Sequence, residues 1–363
     1  MHTWIDTPDG LAAWLAADSG SQAIGLDTEF MRTDTFRARL ALVQICIGDR
    51  RVALVDTVRL PLPHALAAHL RDAHTLCIMH SASEDLDALA SMLPEGPAQL
   101  FDTQVAAAIA GLGSGLSYQK LVATALGIDL AKAETRSDWM RRPLSAEQLD
   151  YAAQDVVWLP KLHALLAARL DELGRSDWLR EDCAAMLKRA RNSGPDPQPQ
   201  RAVRGAADWP IERQALLRRL LLWRDASARA LDKPKPWILD DAHALQLASR
   251  PPATSDELYE RTRGLRALRG PQRQELLALL LEPLGADDLA IEPIPPSLDS
   301  SQKRALGEMK SAVAAIAERH ALPESVLCAR RHLETLLTER AWPAALEGWR
   351  RTLLEGALMA LMP

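Results

Sequence analysis

"IGLDTEF", residues 24–30, has the apolar make-up of a short strand and yet carries two carboxylates, Asp27 and Glu29. Acids oppose both a pleated strand and burial. Residues two apart on a strand point to the same side. The two carboxylates therefore project together, and each raises the other's pKa. A cation between them relieves the repulsion, and hard oxygen ligands of this kind suit Mg²⁺ or Mn²⁺. The competing reading is an edge strand whose acids are simply solvated.

Around this stretch the chain alternates strand and helix patterns. Ile24–Met31, Leu40–Ile47 and Arg51–Val55 are β-like runs, the last two joined by a Gly-Asp-Arg turn. Thr75–Met79 is a further apolar strand, and Leu100–Phe101 a short one. Ala82–Leu93 has helical spacing and stops at Pro94. From Thr103 the pattern is helical. Ser145 and Gln148 form a capping box, opening a helix that must kink or end near Pro160. Helical pattern then resumes to about Gly174. Hairpin strands followed by a βα alternation predict an α/β fold, a mixed sheet flanked by helices.

Residues 188–210 are rich in Pro, Gly, Arg and Gln and read as a linker. Everything beyond is helical, with an amphipathic segment at 211–231, a break at 290–300 and a final block at 301–363. Ile238-Leu239 and Leu245 stand 88 positions before Val326-Leu327 and Leu333, a faint sign of repetition.

The 363 residues suggest two or three domains, and 48% are apolar, enough for real cores. The net charge of −5 means that any affinity for nucleic acid must come from local basic surface. Four scattered cysteines without a CxxC pair argue against zinc and disulfides and fit a reducing compartment. The start of the chain lacks the pattern of a signal peptide. The longest uncharged stretch, Thr103–Gln119, is too polar to span a membrane. A cytoplasmic protein is expected.

Two further motifs bear on the carboxylates. "HSASEDLDALA" (80–90) places Asp85 at the start of a helix that follows a buried strand, where ligands gather in α/β sheets. Glu84 and Asp87 are alternative acids there. "DYAAQDVVW" (150–158) places Tyr151 and Asp155 four apart, on one helix face. Each motif alone is weak. Their order carries the argument: D-x-E on a first strand, an acid after a later strand, then Y-x₃-D on a later helix.

That order resembles the tyrosine-bearing branch of the DEDD exonuclease superfamily. "LDTEFMRTDTF", "LVQI", "FDTQ" and "ETRSDWMRRPLSAEQLDYAAQDV" are similar to ribonuclease D, nearly continuously from residue 1 to about 175. Residues 211–290 resemble the helicase-and-RNase-D C-terminal (HRDC) domain, and 300–363 a second, diverged copy. The resemblance implies a ribonuclease H-like exonuclease domain, with its linker, over 1–205, followed by two all-α HRDC-type domains. It implies a 3′→5′ exoribonuclease that releases nucleoside 5′-monophosphates, with transfer-RNA precursors as substrates.

Four carboxylates (Asp27, Glu29, Asp85, Asp155) match the charge of two divalent cations, which can clamp the attacking and leaving oxygens of a phosphodiester. By resemblance, Asp27 bridges both ions, Glu29 and Asp155 complete the one carrying the nucleophilic water, and Asp85 serves the leaving group. A free tyrosine is a poor base at neutral pH, so Tyr151 positions the water. Gln44, His80 and Trp139 are candidate substrate contacts, weighed against ordinary packing. Arg218 and Arg224 are candidates for nucleic-acid binding, as are Lys188, Arg189, Arg191, Arg201, Arg204, Arg213 and Arg219. A helicase is excluded, because the chain has no Gly-Lys dipeptide and so no Walker A loop, and no nucleotide cofactor is expected. The rivals are a DNA-directed exonuclease and a binding protein built on an inactive nuclease fold.

Overall fold

The computed structural model describes residues 2–17, 22–61, 63–130, 137–192 and 194–363. The chain forms two compact units, one of residues 1–31, 38–193 and 301–363, the other of residues 32–37 and 194–300.

The first unit is built on a six-stranded mixed sheet of order β1-β4-β3-β2-β5-β6. Its strands are β1 (His2–Ile5), β2 (Ala23–Met31), β3 (Arg39–Ile47), β4 (Arg51–Asp56), β5 (Leu76–Met79) and β6 (Gln99–Asp102). β2, β3 and β4 pair antiparallel, while β1, β5 and β6 add in parallel. β1 lies outside the strands expected from sequence, because only Ile5 of its four residues is buried and its alternation is too brief to register. The helices of this part are α1 (Pro8–Ala16), α2 (His64–Arg71), α3 (Ser83–Leu89), α4 (Thr103–Ile109), α5 (Tyr118–Leu126), α6 (Ala146–Val157), α7 (Leu159–Glu172) and α8 (Ser176–Arg191). The capping box forms: Ser145 Oγ accepts from the Gln148 N–H, and Gln148 Oε1 accepts from the Ser145 N–H. The break expected near Pro160 is a junction at Trp158, with Pro160 seated in the first turn of α7, where its missing N–H costs nothing. β3, β4 and the apolar faces of α6 and α7 form one continuous core.

The second unit holds α9 (Ile211–Leu231), α10 (Lys235–Ile238), α11 (Asp241–Ser249), α12 (Ser255–Arg261), α13 (Gly270–Leu281) and α14 (Ala286–Leu289), around a separate core. The linker reading of 188–210 is corrected. Residues 188–191 complete α8, Ser193 lies outside the described residues, and 194–210 pack onto the second unit. Gln200 is fully buried there and donates to the Glu292 carbonyl at 2.8 Å. Polar composition resembles a tether when its residues are buried by packing that sequence does not display.

The remaining helices are α15 (Ser300–Arg319), α16 (Glu324–Leu327), α17 (Arg330–Glu339) and α18 (Trp349–Met359). This block packs on α8. Trp349 stacks on Trp178, with ring centroids 4.5 Å apart and planes 5° from parallel. Both terminal Nη atoms of Arg350 donate to Asp182, and the Trp349 N–H donates to Glu181. Gly348 has φ +67°, and any Cβ there would collide with Glu181.

The faint repeat becomes specific in backbone geometry. Asp232 and Ala321 both have φ +48°; Pro234 and Pro323 open one-turn helices; Leu239 and Cys328 close them at φ −160° and −156°. The offset is 89 residues (321 less 232), one more than the sequence reading, because helical periodicity alone does not resolve a one-residue slip.

Candidate active site

The site is assembled on β2. Asp27 and Glu29 share a face, and a β-bulge follows Glu29, where the register steps from Glu29↔Leu42 to Phe30↔Leu40. Bulges re-aim side chains beside functional sites. The skipped residue, Ala41, offers its carbonyl to Arg142 Nη2 at 2.7 Å, and the same nitrogen bonds Asp56 at 2.6 Å. Asp56 is fully buried, so this ion pair pins the bulge from within. The sequence reading did not single out Asp56 or Arg142; the "MRRP" segment was visible, but its partner was not.

Asp155 approaches from α6. Gly25, two residues before Asp27, makes room for it: a Cβ there would lie 3.0 Å from Leu159 Cβ. The α6–α7 junction thus closes onto β2, with Asp155 one turn before Leu159. Carboxylate oxygens of Asp27, Glu29 and Asp155 lie within 4.8 Å of one another. Tyr118, unmarked by the sequence reading, accepts from the Trp158 N–H at 3.2 Å and fastens the same junction.

Asp85, buried at the start of α3, lies outside that triplet. Its Oδ1 accepts from the Thr28 hydroxyl at 2.5 Å, and Thr28 stands between Asp27 and Glu29. Asp102 supports this loop, accepting from the N–H groups of Ser81 and Ala82 while capping α4 through Gln104 and Val105. The "FDTQ" motif is therefore scaffolding. Thr103 donates to the Met79 carbonyl and Gln104 to that of Leu116.

Burial is the main force on every carboxyl here, with mutual repulsion added. Asp27 is raised well above the usual range by burial, then by Asp85, Asp155 and Glu29. Glu29 is lifted to about 8 by burial and by Asp155 and Asp85. Burial lifts Asp155 to about 7 against a hydrogen bond from Tyr151, and Asp85 to about 6 against that from Thr28. Burial and Asp155 push the Tyr151 hydroxyl far upward, so it is a donor and not a base. A half-buried set of hard oxygen donors that cannot all ionise alone fits divalent Mg²⁺ or Mn²⁺.

Tyr151 and Asp155 open into a cleft of about 990 Å³ that Trp139, Arg141, Gln148 and Trp158 also line. Trp139 is buried, its ring 6.0 Å from that of Tyr151. The start of its sequence motif, residues 134–136, lies outside the described residues. The other expected substrate contacts are otherwise placed. His80 uses both ring nitrogens inside the fold, towards Thr103 Oγ1 and the Leu116 carbonyl. Gln44 has no exposed surface. The arginines of α9 are neither free basic surface nor a solvated face. Arg213 bonds the Ala248 carbonyl, Arg218 those of Pro197 and Asp287, Arg219 Asp288 and three carbonyls, and Arg224 Asp241 and the Leu239 carbonyl. Several of these carbonyls end neighbouring helices, where acceptors lack partners. Lys188 and Arg189 on α8 are exposed, with no ion pair among the described residues.

A sheet of this topology bearing clustered acids, with a separate helical unit, defines a nuclease with an accessory helical domain. A family model described as 3′-5′ exonuclease matches residues 2–171, and one for the HRDC domain matches 213–266. Ribonuclease D of Xanthomonas oryzae pv. oryzae is 41% identical over 362 residues, covering 100% of this chain and 99% of that protein. Ribonuclease D of a Shewanella strain is 34% identical, covering 99% and 94%. The crystal structure of Escherichia coli RNase D, titled as an exoribonuclease involved in structured RNA processing, superposes with a TM-score of 0.88 at 29% identity, covering 99% of this chain and 98% of that one. The chain belongs to the ribonuclease D family and is a 3′-5′ exoribonuclease. Among the described residues no helix is long and apolar enough to cross a membrane.

Proposed function

We propose that Asp27, Glu29, Asp85 and Asp155 hold two divalent cations, Mg²⁺ or Mn²⁺, and that the enzyme removes nucleoside 5′-monophosphates singly from RNA 3′ ends. The observation that carries this reading is the approach of Asp27 and Glu29, on the bulge-fixed strand β2, and Asp155, on α6, to within 4.8 Å of one another. Bound there, the cations supply Lewis acidity at the scissile phosphate and a lowered pKa for the attacking water. Tyr151, hydrogen-bonded to Asp155, holds that water in line with phosphorus. The water gives up one proton as its oxygen bonds to phosphorus, the bond to the 3′-oxygen of the preceding nucleotide breaks, and that oxygen takes up one proton. The released nucleotide keeps the 5′-phosphate. The Trp139 and Trp158 walls of the cleft present apolar surface to the terminal base.

Residues 300–363 form a second, diverged HRDC-like domain in this reading, supported by the backbone repeat at an offset of 89. The substrates are transfer-RNA precursors with 3′ extensions. The test is incubation with 3′- and 5′-labelled RNA and DNA oligomers and with a 3′-extended transfer RNA, in Mg²⁺, Mn²⁺ or chelator. Metal-dependent release of 5′-monophosphates from the 3′ end supports the reading. Turnover in chelator refutes the metal site, preference for DNA refutes the RNA assignment, and no preference for the extended transfer RNA refutes that substrate.

A further inference from the structure

Gln44 lies in the middle of β3, directly across from Asp27 in the antiparallel register. Paired residues of an antiparallel ladder point to the same side, with Cβ atoms about 5 Å apart. Gln44 therefore shares the face of Asp27 and, diagonally, of Glu29. Its side chain has no exposed surface, and neither Nε2 nor Oε1 has a hydrogen-bond partner. Burying both ends of an amide unpaired is costly, and native folds do so rarely. The β3 residues that share its face, Leu42 and Cys46, are apolar and equally buried, so an apolar residue would suit the fold at this position.

We propose that Gln44 is a positioning residue of the metal site, its carboxamide kept free within the protein to hydrogen-bond the Asp27 carboxylate when a divalent cation is held there. A carboxylate offers about four lone-pair positions, and a cation uses only part of them. A donor on the remainder fixes which oxygen faces the ion, as outer partners of metal ligands do. The inference rests on the proposed metal site and adds a residue to it. The rival partner is Asp56, which shares this face and also has an unpaired buried oxygen, Oδ2.

The two partners differ in what Gln44→Met does. Met keeps the volume and loses the hydrogen bond. Mn²⁺ binding is measured by calorimetry on the full chain, with melts in chelator and steady-state kinetics on a short RNA. If Gln44 serves Asp27, the Mn²⁺ dissociation constant rises about tenfold, within the range for outer-shell partners. The melting temperature in chelator rises or holds, and kcat falls while KM for RNA stays. An unchanged dissociation constant overturns the inference, and a lowered melting temperature with it assigns Gln44 to Asp56. Should Gln44→Met not fold, Gln44→Ala is read by the same dissociation constant. If the unsubstituted enzyme itself binds no Mn²⁺, the metal site has failed, which is a separate result.

Discussion

Glu29→Gln removes a charge that the fold makes costly, and its effect depends on pH in a way that can be worked out. The Glu29 carboxyl titrates at about 8 in the fold against 4.5 ordinarily, chiefly through burial and then through Asp155 and Asp85. Between those values the unfolded chain has released the proton and the folded chain keeps it. The folded state binds more protons there, so stability falls as pH rises through the window. One retained proton corresponds to about 1.4 kcal/mol per pH unit. From pH 5 to pH 7 this reaches about 2.7 kcal/mol, and solvent screening at the cleft reduces it to roughly 1–2 kcal/mol. For a unit of this size 1 kcal/mol moves the melting temperature by about 2–4 °C. In chelator, wild type and Glu29→Gln should melt alike near pH 5, and the variant should melt about 2–8 °C higher at pH 7. Asp155 and Asp85, at about 7 and 6, give wild type further slope of the same sign, which the variant retains in part. Mn²⁺ should stabilise wild type more as pH rises, since binding displaces protons. Melting curves against pH that run parallel for the two proteins would refute the repulsive-cluster argument.

Asp155→Asn should abolish release of nucleotides while leaving the chelated protein at least as stable, read by labelled-RNA assay and melting. Tyr151→Phe should lower kcat about 10²–10⁴-fold with little change in KM, measured where chemistry is rate-limiting. Trp349→Ala should cost about 3–5 kcal/mol, seen in denaturant melts, because Trp349 is buried against Trp178. Lys188→Ala with Arg189→Ala should weaken RNA binding and flatten its log–log salt dependence by about 1.4, roughly 0.7 per phosphate contact on single strands.

Sequence by itself determined what depends on near neighbours. The two-residue spacing puts Asp27 and Glu29 on one face, and the four-residue spacing puts Tyr151 and Asp155 on one helical turn. The Ser145 capping box and Pro160 set where α6 begins and where α7 takes over. These follow from strand and helix periods, which are local. Tertiary structure decided what depends on partners far along the chain. Arg142 reaches Ala41 and Asp56 to hold the bulge; Thr28 reaches Asp85; Asp102 fixes the loop before α3. A polar residue has the same letter whether solvated or sealed, so the internal bonds of the α9 arginines and of Gln200 were illegible. The same holds for Gln44, whose position opposite Asp27 depends on cross-strand register. Register is set by the packing of whole faces, and a single strand's pattern does not name the residue it will meet.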